Sequence, residues 1–251
     1  MTNTKYSYHN RTYILHSYPH KESSLIINAF TFEQGRIDLL AKGVKKSKKG
    51  LHSILQPFQP ISISFLIKDN LSILTTAELN NVTVPILNGK SMYCAYYLNE
   101  LLLRLLPVAE PVEEIFYLYD ETLNQLHEVG NLESNLRRFE VLLLEYLGYQ
   151  LNLEFDTLSN QLIQTDKDYF YDINMGPFEI SSESKPRDKI NTHIKISGKA
   201  LRAINTLDFS DKNVVKESKN LLRLVLQQYL GSKPLKSRAL FKQLYGNGKD
   251  D

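Results

Sequence analysis

The segment TYILHSYPHKESSLIINAFTFEQGRIDLLAK, residues 12–42, contains three short apolar runs that are rich in β-branched and aromatic residues. Two more runs of this kind follow, ISISFLI at 61–67 and LSILTTAEL at 71–79. Glycines, prolines and short polar segments separate the runs, as turns and chain reversals require. We therefore predict five strands, at residues 12–18, 24–32, 36–42, 61–67 and 71–79. Five short strands predict a small antiparallel barrel with OB-fold topology, although the number of strands alone would also suit an SH3-like barrel.

Beyond these runs the apolar period becomes that of a helix. Residues 91–107 open with Ser91 as a possible cap and end at a proline, and Pro111 followed by two glutamates marks a second helix start. Residues 131–149 keep leucines at spacings of three or four, and Gly148 is well placed just beyond the helix end. A small hairpin is predicted at 169–181, and further helices are predicted at 198–207, 212–231 and 236–245.

Together these patterns predict an α+β multidomain chain. An N-terminal OB-fold β-barrel occupies residues 1–85, and a C-terminal α-helical domain occupies residues 86–251. Within the second domain, residues 150–196 lose the helical period, so we expect an irregular or hairpin insertion there.

Charge is distributed unevenly along the chain, although the formal net charge is only +2. Residues 1–60 carry nine Lys or Arg against three Asp or Glu, and residues 181–251 carry fifteen against seven. Residues 91–180 carry four against sixteen. Two basic ends thus flank an acidic middle, and this distribution indicates a polyanion-binding surface that the whole-chain charge conceals.

The densest cluster of positive charge is AKGVKKSKKG, residues 41–50. Gly43 and Gly50 frame four of its five lysines, and like charges at helical spacing would repel one another, so we predict a loop. A solvated hairpin tip is the simpler interpretation, but the charge density and the neighbouring Arg36 favour contacts with nucleic-acid phosphates. The predicted DNA-binding residues are Arg36, Lys42, Lys45, Lys46, Lys48 and Lys49.

The predicted barrel also carries aromatic rings that could stack on nucleobases. They are Tyr13, Tyr18, Phe30, Phe32, Phe58 and Phe65. We expect most of them in the barrel core. Charge for phosphates and rings for bases are nevertheless the two ingredients of a groove for single strands.

Residues suited to catalysis are few. The six histidines are scattered singly, and Cys94 lies on an apolar helix face, where a small buried thiol is the ordinary explanation. Asp166, Asp168 and Asp172 could bind a divalent ion as in a nuclease, but a polar loop is the stronger interpretation. The sequence has no Gly-rich phosphate loop. We therefore predict that the chain is not an enzyme and expect no metal and no cofactor.

A cytoplasmic location is expected. The single cysteine cannot form an internal disulfide, and no N-terminal segment combines a basic start with an apolar run. The apolar runs are short and interrupted by charge, so we expect no membrane partner. If the chain binds DNA, it would associate with the nucleoid.

Four fragments of the sequence stand out in order: YILHSYPHKESSLIINAFTFEQGRIDLLAKGVKK with the LQPF that follows, YLNELLLRLLP, LRRFEVLLLEYLGY and LGSKPLKSRALFKQL. Together they resemble the bacterial RecO recombination-mediator proteins, from about residue 11 to residue 245. The resemblance implies an N-terminal OB-fold, a helical C-terminal domain, binding and annealing of single-stranded DNA, and loading of RecA-class recombinase. It also implies two partners, RecR and the C-terminal tail of the single-stranded-DNA-binding protein.

The resemblance further implies a site for that tail, which is acidic and ends in phenylalanine. In the resembled family the LRRFE segment belongs to the helical domain that receives the tail, which assigns the role to Arg137 and Arg138. A guanidinium can hold a terminal carboxylate through two parallel hydrogen bonds. An intrahelical ion pair of Arg137 with a glutamate at 133 or 140 is the alternative. Lys236 and Arg238 could extend the tail-binding surface.

In one respect the sequence departs from part of the family. Some members carry a four-cysteine zinc site in the segment that corresponds to residues 150–196, and this chain has no cysteine there. We expect packing of aromatic side chains to hold the segment instead, namely Tyr169, Phe170, Tyr171 and Phe178.

Besides a recombination mediator, two functions stay open: an OB-fold module for RNA binding or translation, and a metal-dependent nuclease that uses the Asp166 region.

Overall fold

The computed structural model describes residues 5–46, 50–68, 71–80, 82, 86–127, 129–180 and 193–245. The chain forms two compact units, one made of residues 1–129 and 234–251 and the other of residues 130–233. The predicted domains, with their boundary between residues 85 and 86, divide the chain differently and stay a prediction.

The first unit contains a closed five-stranded barrel. Its strands are β1 (Tyr6–His20), β2 (Ser24–Thr31), β3 (Gly35–Ala41), β4 (Ile61–Leu66) and β5 (Ser72–Leu79). They pair in the order β1-β2-β3-β5-β4, and a short parallel pairing of β3 with β5 is part of the closed sheet. The five predicted strands are confirmed, with β1 starting earlier than predicted, and the strand order is that of an OB-fold.

Strand β1 is long because it pairs with two neighbouring strands, β4 and β2. Its N-terminal part pairs with β4 and its C-terminal part with β2. Register irregularities between Ser7 and Asn10 and between Ile14 and His16 accompany the change of partner, as bulges do at barrel bends. Ile14 belongs to the barrel core, whose fully buried members include Ile27, Leu39, Ile61 and Ile63.

Among the described residues the structure contains seven α-helices. They are α1 (Leu51–Ile54), α2 (Gly89–Leu105), α3 (Glu113–Gln125), α4 (Leu132–Tyr146), α5 (Gly198–Asn205), α6 (Lys212–Leu230) and α7 (Lys236–Tyr245). Every helix predicted from the apolar period is present, and Gly148 follows α4 with φ of 80°, as a residue just beyond a helix end often does. None of these helices has the length and apolarity needed to cross a bilayer.

The predicted cap of α2 is wrong by three positions. Asn88 is the N-cap, and Ser91 lies three residues later in the first turn. There the Ser91 hydroxyl accepts a hydrogen bond from the backbone N–H of Asn88 at 3.0 Å. This hydrogen bond satisfies the backbone donor of the N-cap residue. It is one of the two reciprocal hydrogen bonds of a capping box.

Helices α2 and α3 cover the outer side of β1. Tyr13 and Leu15 flank Ile14 and are only 3% and 2% exposed. The Tyr13 ring meets Tyr119 of α3 edge-on, with ring centroids 5.0 Å apart. Asn99 of α2 donates its side-chain N–H to the carbonyl of Leu15 at 2.8 Å and accepts from the Tyr119 hydroxyl. Rings and a buried polar network thus attach both helices to one strand.

The second unit combines helices with a three-stranded sheet. Strands β6 (Asp168–Asp172), β7 (Gly176–Glu179) and β8 (His193–Ser197) lie in the order β7-β6-β8. The pair β6–β7 confirms the predicted hairpin. Strand β8 was not predicted, because its five residues carry only two apolar side chains and lead directly into α5.

The aromatic residues of the hairpin divide into two pairs. Tyr169 and Tyr171 are 2% and 3% exposed and lie in the interior of the unit. Phe170 and Phe178 are half-buried on the other side of the sheet, with ring centroids 5.9 Å apart. Both pairs are in packed positions, which agrees with the expectation that aromatic contacts hold this segment.

A buried carboxylate also ties the irregular segment to the sheet. Asp156 is 4% exposed. Its Oδ1 accepts the backbone N–H groups of Leu158 and Ser159 at 2.8 and 2.7 Å, and its Oδ2 accepts that of Glu179 in β7 at 2.6 Å. Burial alone would raise the pKa of this carboxyl, but the hydrogen bonds from Ser159, Glu179 and Leu158 outweigh it and lower the pKa below its ordinary value. Sequence analysis did not identify this residue.

We predict that Asp156→Ala lowers the free energy of unfolding by about 3 kcal/mol, since three backbone donors lose a charged acceptor. Urea denaturation followed by circular dichroism measures the change. Asp168→Ala is the control, because its exposed pair with Lys195 in the same segment contributes about 1 kcal/mol or less. Equal costs for the two variants would contradict a special role for Asp156.

The same carboxylate predicts a pH dependence. Because the pKa is lower in the folded chain than the ordinary value of 3.8, the stabilisation is fully present above about pH 4. It declines as the pH falls through the folded-state pKa. The stability difference between the wild-type chain and Asp156→Asn should therefore be constant near neutral pH and shrink below pH 4.

Candidate nucleic-acid and partner interfaces

The lysine-rich segment leaves the barrel through an anchored turn. Gly43 has φ of 67°, and residues 44–46 form a short 3-10 turn whose Val44 side chain is 1% exposed and belongs to the barrel core. The backbone N–H of Lys45 donates to the carbonyl of Ser23 at 3.2 Å. The loop prediction agrees with this geometry.

Two of the predicted DNA-binding lysines are well placed for a polyanion. Lys42 and Lys45 are exposed, and neither has an ion-pair partner among the residues that the structure describes. The backbone of Lys46 lies in the turn. The Lys46 side chain, Lys48 and Lys49 lie outside the described residues.

Arg36 has a structural partner. Its Nε donates to the carbonyl of Leu106 at the end of α2, at 3.2 Å, and its carbonyl accepts the N–H of Ala109 at 2.8 Å. The preceding Gly35 has φ of 68°, and a Cβ there would lie 2.1 Å from the carbonyl oxygen of Glu110. The turn into Arg36 therefore requires glycine, and part of the guanidinium is occupied by the helix end.

Four of the six aromatic candidates of the barrel are buried, but the expectation that most of the six lie in the barrel core is wrong, since only Phe65 belongs to it. Tyr13 and Phe30 pack against rings of α3, and Phe58 packs against Tyr96 of α2. Tyr13, Phe30, Phe58 and Phe65 are at most 7% exposed. Tyr18 is 40% exposed and Phe32 is half-buried. Of the six rings, these two can reach a nucleobase.

An exposed aromatic pair on β1 was not predicted from the sequence. Tyr6 and Tyr8 lie two positions apart on β1 and are 45% and 65% exposed. Their rings stack with centroids 5.7 Å apart and planes inclined by 18°. Since alternate residues of a strand share one face, the period-two spacing of the tyrosines was the available signal.

A second missed feature is a cation on a ring beside a cavity. The Arg11 guanidinium carbon lies 3.6 Å from the centre of the Phe32 ring, and its Nε is 3.9 Å from Glu33. A cavity of about 260 Å³ adjoins it, lined by Arg11, Tyr13, Phe116, Tyr117 and Asp120 among others. Burial, and then the hydrogen bond that its hydroxyl donates to Asp120, raise the pKa of Tyr13 far above its ordinary value, so this hydroxyl stays protonated.

Arg137 is a buried residue of α4. It is 6% exposed, and its Nη2 donates to Oε1 of Glu140 at 2.7 Å. Both side chains are almost wholly buried, and the Arg137 Nε–H has no hydrogen-bond partner among the described residues. The intrahelical pair that the sequence left open as the alternative is therefore present.

The other three predicted tail-binding residues differ in position. Arg138 is half-buried on α4, in the second compact unit. Lys236 is exposed and Arg238 half-buried on α7, in the first unit. The start of α7 is held by Glu100, which accepts the backbone N–H groups of Lys236 and Ser237 at 2.8 Å each. A carboxylate at this place satisfies the first donors of the helix.

Two of the three aspartates of the nuclease hypothesis have other contacts, and the third, Asp166, is exposed. Asp168 pairs with Lys195 at 2.7 Å. Asp172 accepts the backbone N–H groups of Asn174 and Met175 and so forms the hairpin turn. Among the described residues no cluster of three His, Cys, Asp or Glu is suited to hold a metal ion.

The chain matches two family profiles in succession. The profile described as Recombination protein O N terminal matches residues 4–82, and the one described as Recombination protein O C terminal matches residues 87–239. The DNA repair protein RecO of Nitrosococcus oceani is 40% identical over 232 residues, which cover 92% of each chain. That of Nitrosospira multiformis is 38% identical over 231 residues, covering 92% of this chain and 93% of the relative. That of Shigella boydii is 34% identical over 235 residues and 93% of each chain.

We predict that Arg137→Ala lowers the free energy of unfolding by about 3–5 kcal/mol, because it leaves the buried Glu140 carboxylate without its cation. Replacement of both residues, as Arg137→Met with Glu140→Leu, should recover at least half of this loss. Urea denaturation of the three chains is the measurement. A cost below about 1 kcal/mol for the single variant would show that the pair is not buried in solution.

Proposed function

The chain belongs to the RecO family of DNA repair proteins, and from this membership we propose that it is a recombination mediator. In this role it binds single-stranded DNA, anneals complementary strands and helps load a RecA-class recombinase onto DNA coated with the single-stranded-DNA-binding protein. Its partners are RecR and the acidic C-terminal tail of that coating protein. It acts by binding and has no catalytic step of its own.

The observation that carries the proposal, beside the family, is an OB-fold barrel with a basic segment anchored in its core. Val44 fixes the segment, while Lys42 and Lys45 on either side of it are exposed. A polyanion meets these charges without first breaking an ion pair, since neither lysine has one among the described residues. In the sequence the same segment also contains Lys48 and Lys49, which increase its positive charge.

Exposed rings of β1 supply the second ingredient. Tyr6, Tyr8 and Tyr18 are on the surface of the barrel, and a nucleobase that stacks on such a ring gains about 1–3 kcal/mol. Stacking depends little on base identity, so it suits a protein that binds strands of any sequence. This combination favours unstructured DNA over folded RNA, whose bases are already stacked.

The first test concerns the lysine segment. Replacing Lys45, Lys46, Lys48 and Lys49 by Ala should flatten the slope of log affinity for single-stranded DNA against log salt by about 0.7 per lost phosphate contact, or about 3 in total. Fluorescence anisotropy of a labelled oligonucleotide across a salt series measures the slope. An unchanged slope would remove the segment from the DNA interface.

Lys90 and Lys242 provide the matched control, because both are exposed lysines of the same compact unit and neither belongs to the predicted interface. Their replacement by Ala should change the slope by much less per lysine. The same change per lysine in both sets would mean that the measurement reports only the total charge of the chain.

The second test concerns the partner tail. Since loss of Arg137 alone is expected to destabilise the chain, the double replacement Arg137→Met with Glu140→Leu is the suitable variant. It should weaken binding of an acidic peptide that ends in phenylalanine by about 1.5–3 kcal/mol, while affinity for bare single-stranded DNA stays nearly unchanged. Isothermal titration calorimetry with the peptide measures the difference.

Arg202→Ala is the control for this test, because Arg202 is an exposed arginine of the same unit. It should leave peptide affinity unchanged. If the double variant binds the peptide as the wild-type chain does, the guanidinium of Arg137 serves only the fold, and tail recognition has to be assigned elsewhere.

A further inference from the structure

Helix α6 carries a line of positive charge on its solvent-facing side. Lys212, Lys216, Lys219 and Arg223 are all exposed and follow one another at intervals of four, three and four residues. Residues at these intervals share one face of a helix. We call these four residues the α6 stripe. The opposite face of the helix is buried and apolar, with Val214, Val215, Leu221, Leu222, Val225 and Leu226.

The stripe has the length of a short piece of nucleic-acid backbone. At a rise of 1.5 Å per residue, its first and last members are about 16 Å apart along the helix axis. A nucleic-acid strand carries one phosphate per nucleotide, so several phosphates fit along this distance. Because the helix is regular and packed on its other face, the spacing of the cations is set before any ligand binds.

Little in the surrounding unit neutralises the stripe. Lys219 meets Glu133 of α4 at 2.7 Å, but both side chains are more than half exposed, so water weakens the pair. The other three members have no ion pair among the residues that the structure describes. The acid of the helix itself, Glu217, is turned away and accepts the backbone N–H of Ser197 at 2.6 Å.

Like charges at these intervals repel one another, so the stripe destabilises the free helix. A polyanion with regularly spaced charges would relieve the repulsion along the whole line. A short peptide with one terminal carboxylate would relieve it at one end only.

We propose that the α6 stripe binds the phosphate backbone of a DNA single strand and is a second strand-binding surface, distinct from the barrel. This inference rests on the proposed function, because annealing requires that two strands be held at the same time. The lysine segment of the first compact unit accounts for one strand, and the stripe, in the second unit, accounts for the other.

The test uses the full-length chain with Lys212, Lys216 and Arg223 replaced by Gln. Lys219 is retained so that its pair with Glu133 is preserved. The control replaces Lys167, Lys195 and Arg202 by Gln, which removes the same formal charge from the same unit at positions that form no line on one helix. Two of these lysines form ion pairs, Lys167 with Glu179 and Lys195 with Asp168, so the melting temperature of the control is measured as well. Each chain is assayed for its affinity for one labelled oligonucleotide and for its rate of annealing two complementary oligonucleotides across a salt series.

The stripe variant should bind the single oligonucleotide within about twofold of the wild-type chain at every salt concentration but anneal on the order of tenfold more slowly. Its annealing rate should also depend less steeply on salt, because phosphate contacts to the second strand are lost. The control should anneal as the wild-type chain does. The variant should melt at or above the wild-type temperature, since repulsion is removed.

Two results of this test would overturn the assignment. Annealing at the wild-type rate would show that the stripe contacts no strand, and loss of acidic-peptide binding by the same variant in the calorimetric titration would then make the stripe a peptide site. Equal losses in binding and annealing would make it part of the first-strand surface. If the wild-type chain binds one strand but anneals none, the stripe assignment falls together with the annealing part of the proposed function, whereas failure to bind any strand removes the proposed function as a whole.

Discussion

Burial of both faces of strand β1 is the constraint on which the first compact unit depends. Tyr13, Ile14 and Leu15 are consecutive and almost fully buried, although neighbouring residues of a strand point in opposite directions. Ile14 fills the barrel, so Tyr13 and Leu15 must be covered from outside. The rings of α3 and the amide of Asn99 in α2 provide that cover. A barrel alone would leave an aromatic surface in water, and the two helices remove it.

In the second unit the constraint is the need of backbone N–H groups for acceptors, and a buried carboxylate meets it. Its irregular segment has few apolar residues for its length, and backbone N–H groups in such a segment need acceptors. The carboxylate of Asp156 takes three of them and joins the turn after it to strand β7. A structural metal site would stabilise such a segment by linking distant parts of the chain through one ion. Here the linking group is a single buried charge, whose cost of burial is offset by its hydrogen bonds.

The sequence was sufficient for elements with a clear period. The five barrel strands and the helices around Leu98, Phe139 and Leu222 follow directly from alternation or from a spacing of three to four. It was insufficient where the deciding contact joins distant positions. Nothing local to Asp156 indicates that its partner is a residue of β7, and nothing local to Arg36 indicates that it meets the end of α2. For Arg137 the sequence left two roles open, binding of a partner's tail and an intrahelical ion pair with a glutamate. Only the structure shows that the side chain is buried and paired with Glu140.

The acidic residues of the middle of the chain explain why a net charge of +2 describes its surface poorly. Several of them are occupied by backbone donors or by buried cations: Glu100 holds the start of α7, Glu140 pairs with Arg137, and Asp156 holds its turn. A carboxylate engaged in this way contributes little negative potential to the solvent beside it. In the described part of the chain, Lys42 and Lys45 of the barrel segment and Lys212 and Lys216 of α6 are exposed and form no ion pair, so their charge is felt outside the molecule. The fold thereby converts a nearly neutral composition into separate basic surfaces, and this conversion, rather than an excess of lysine, is what a polyanionic partner would encounter.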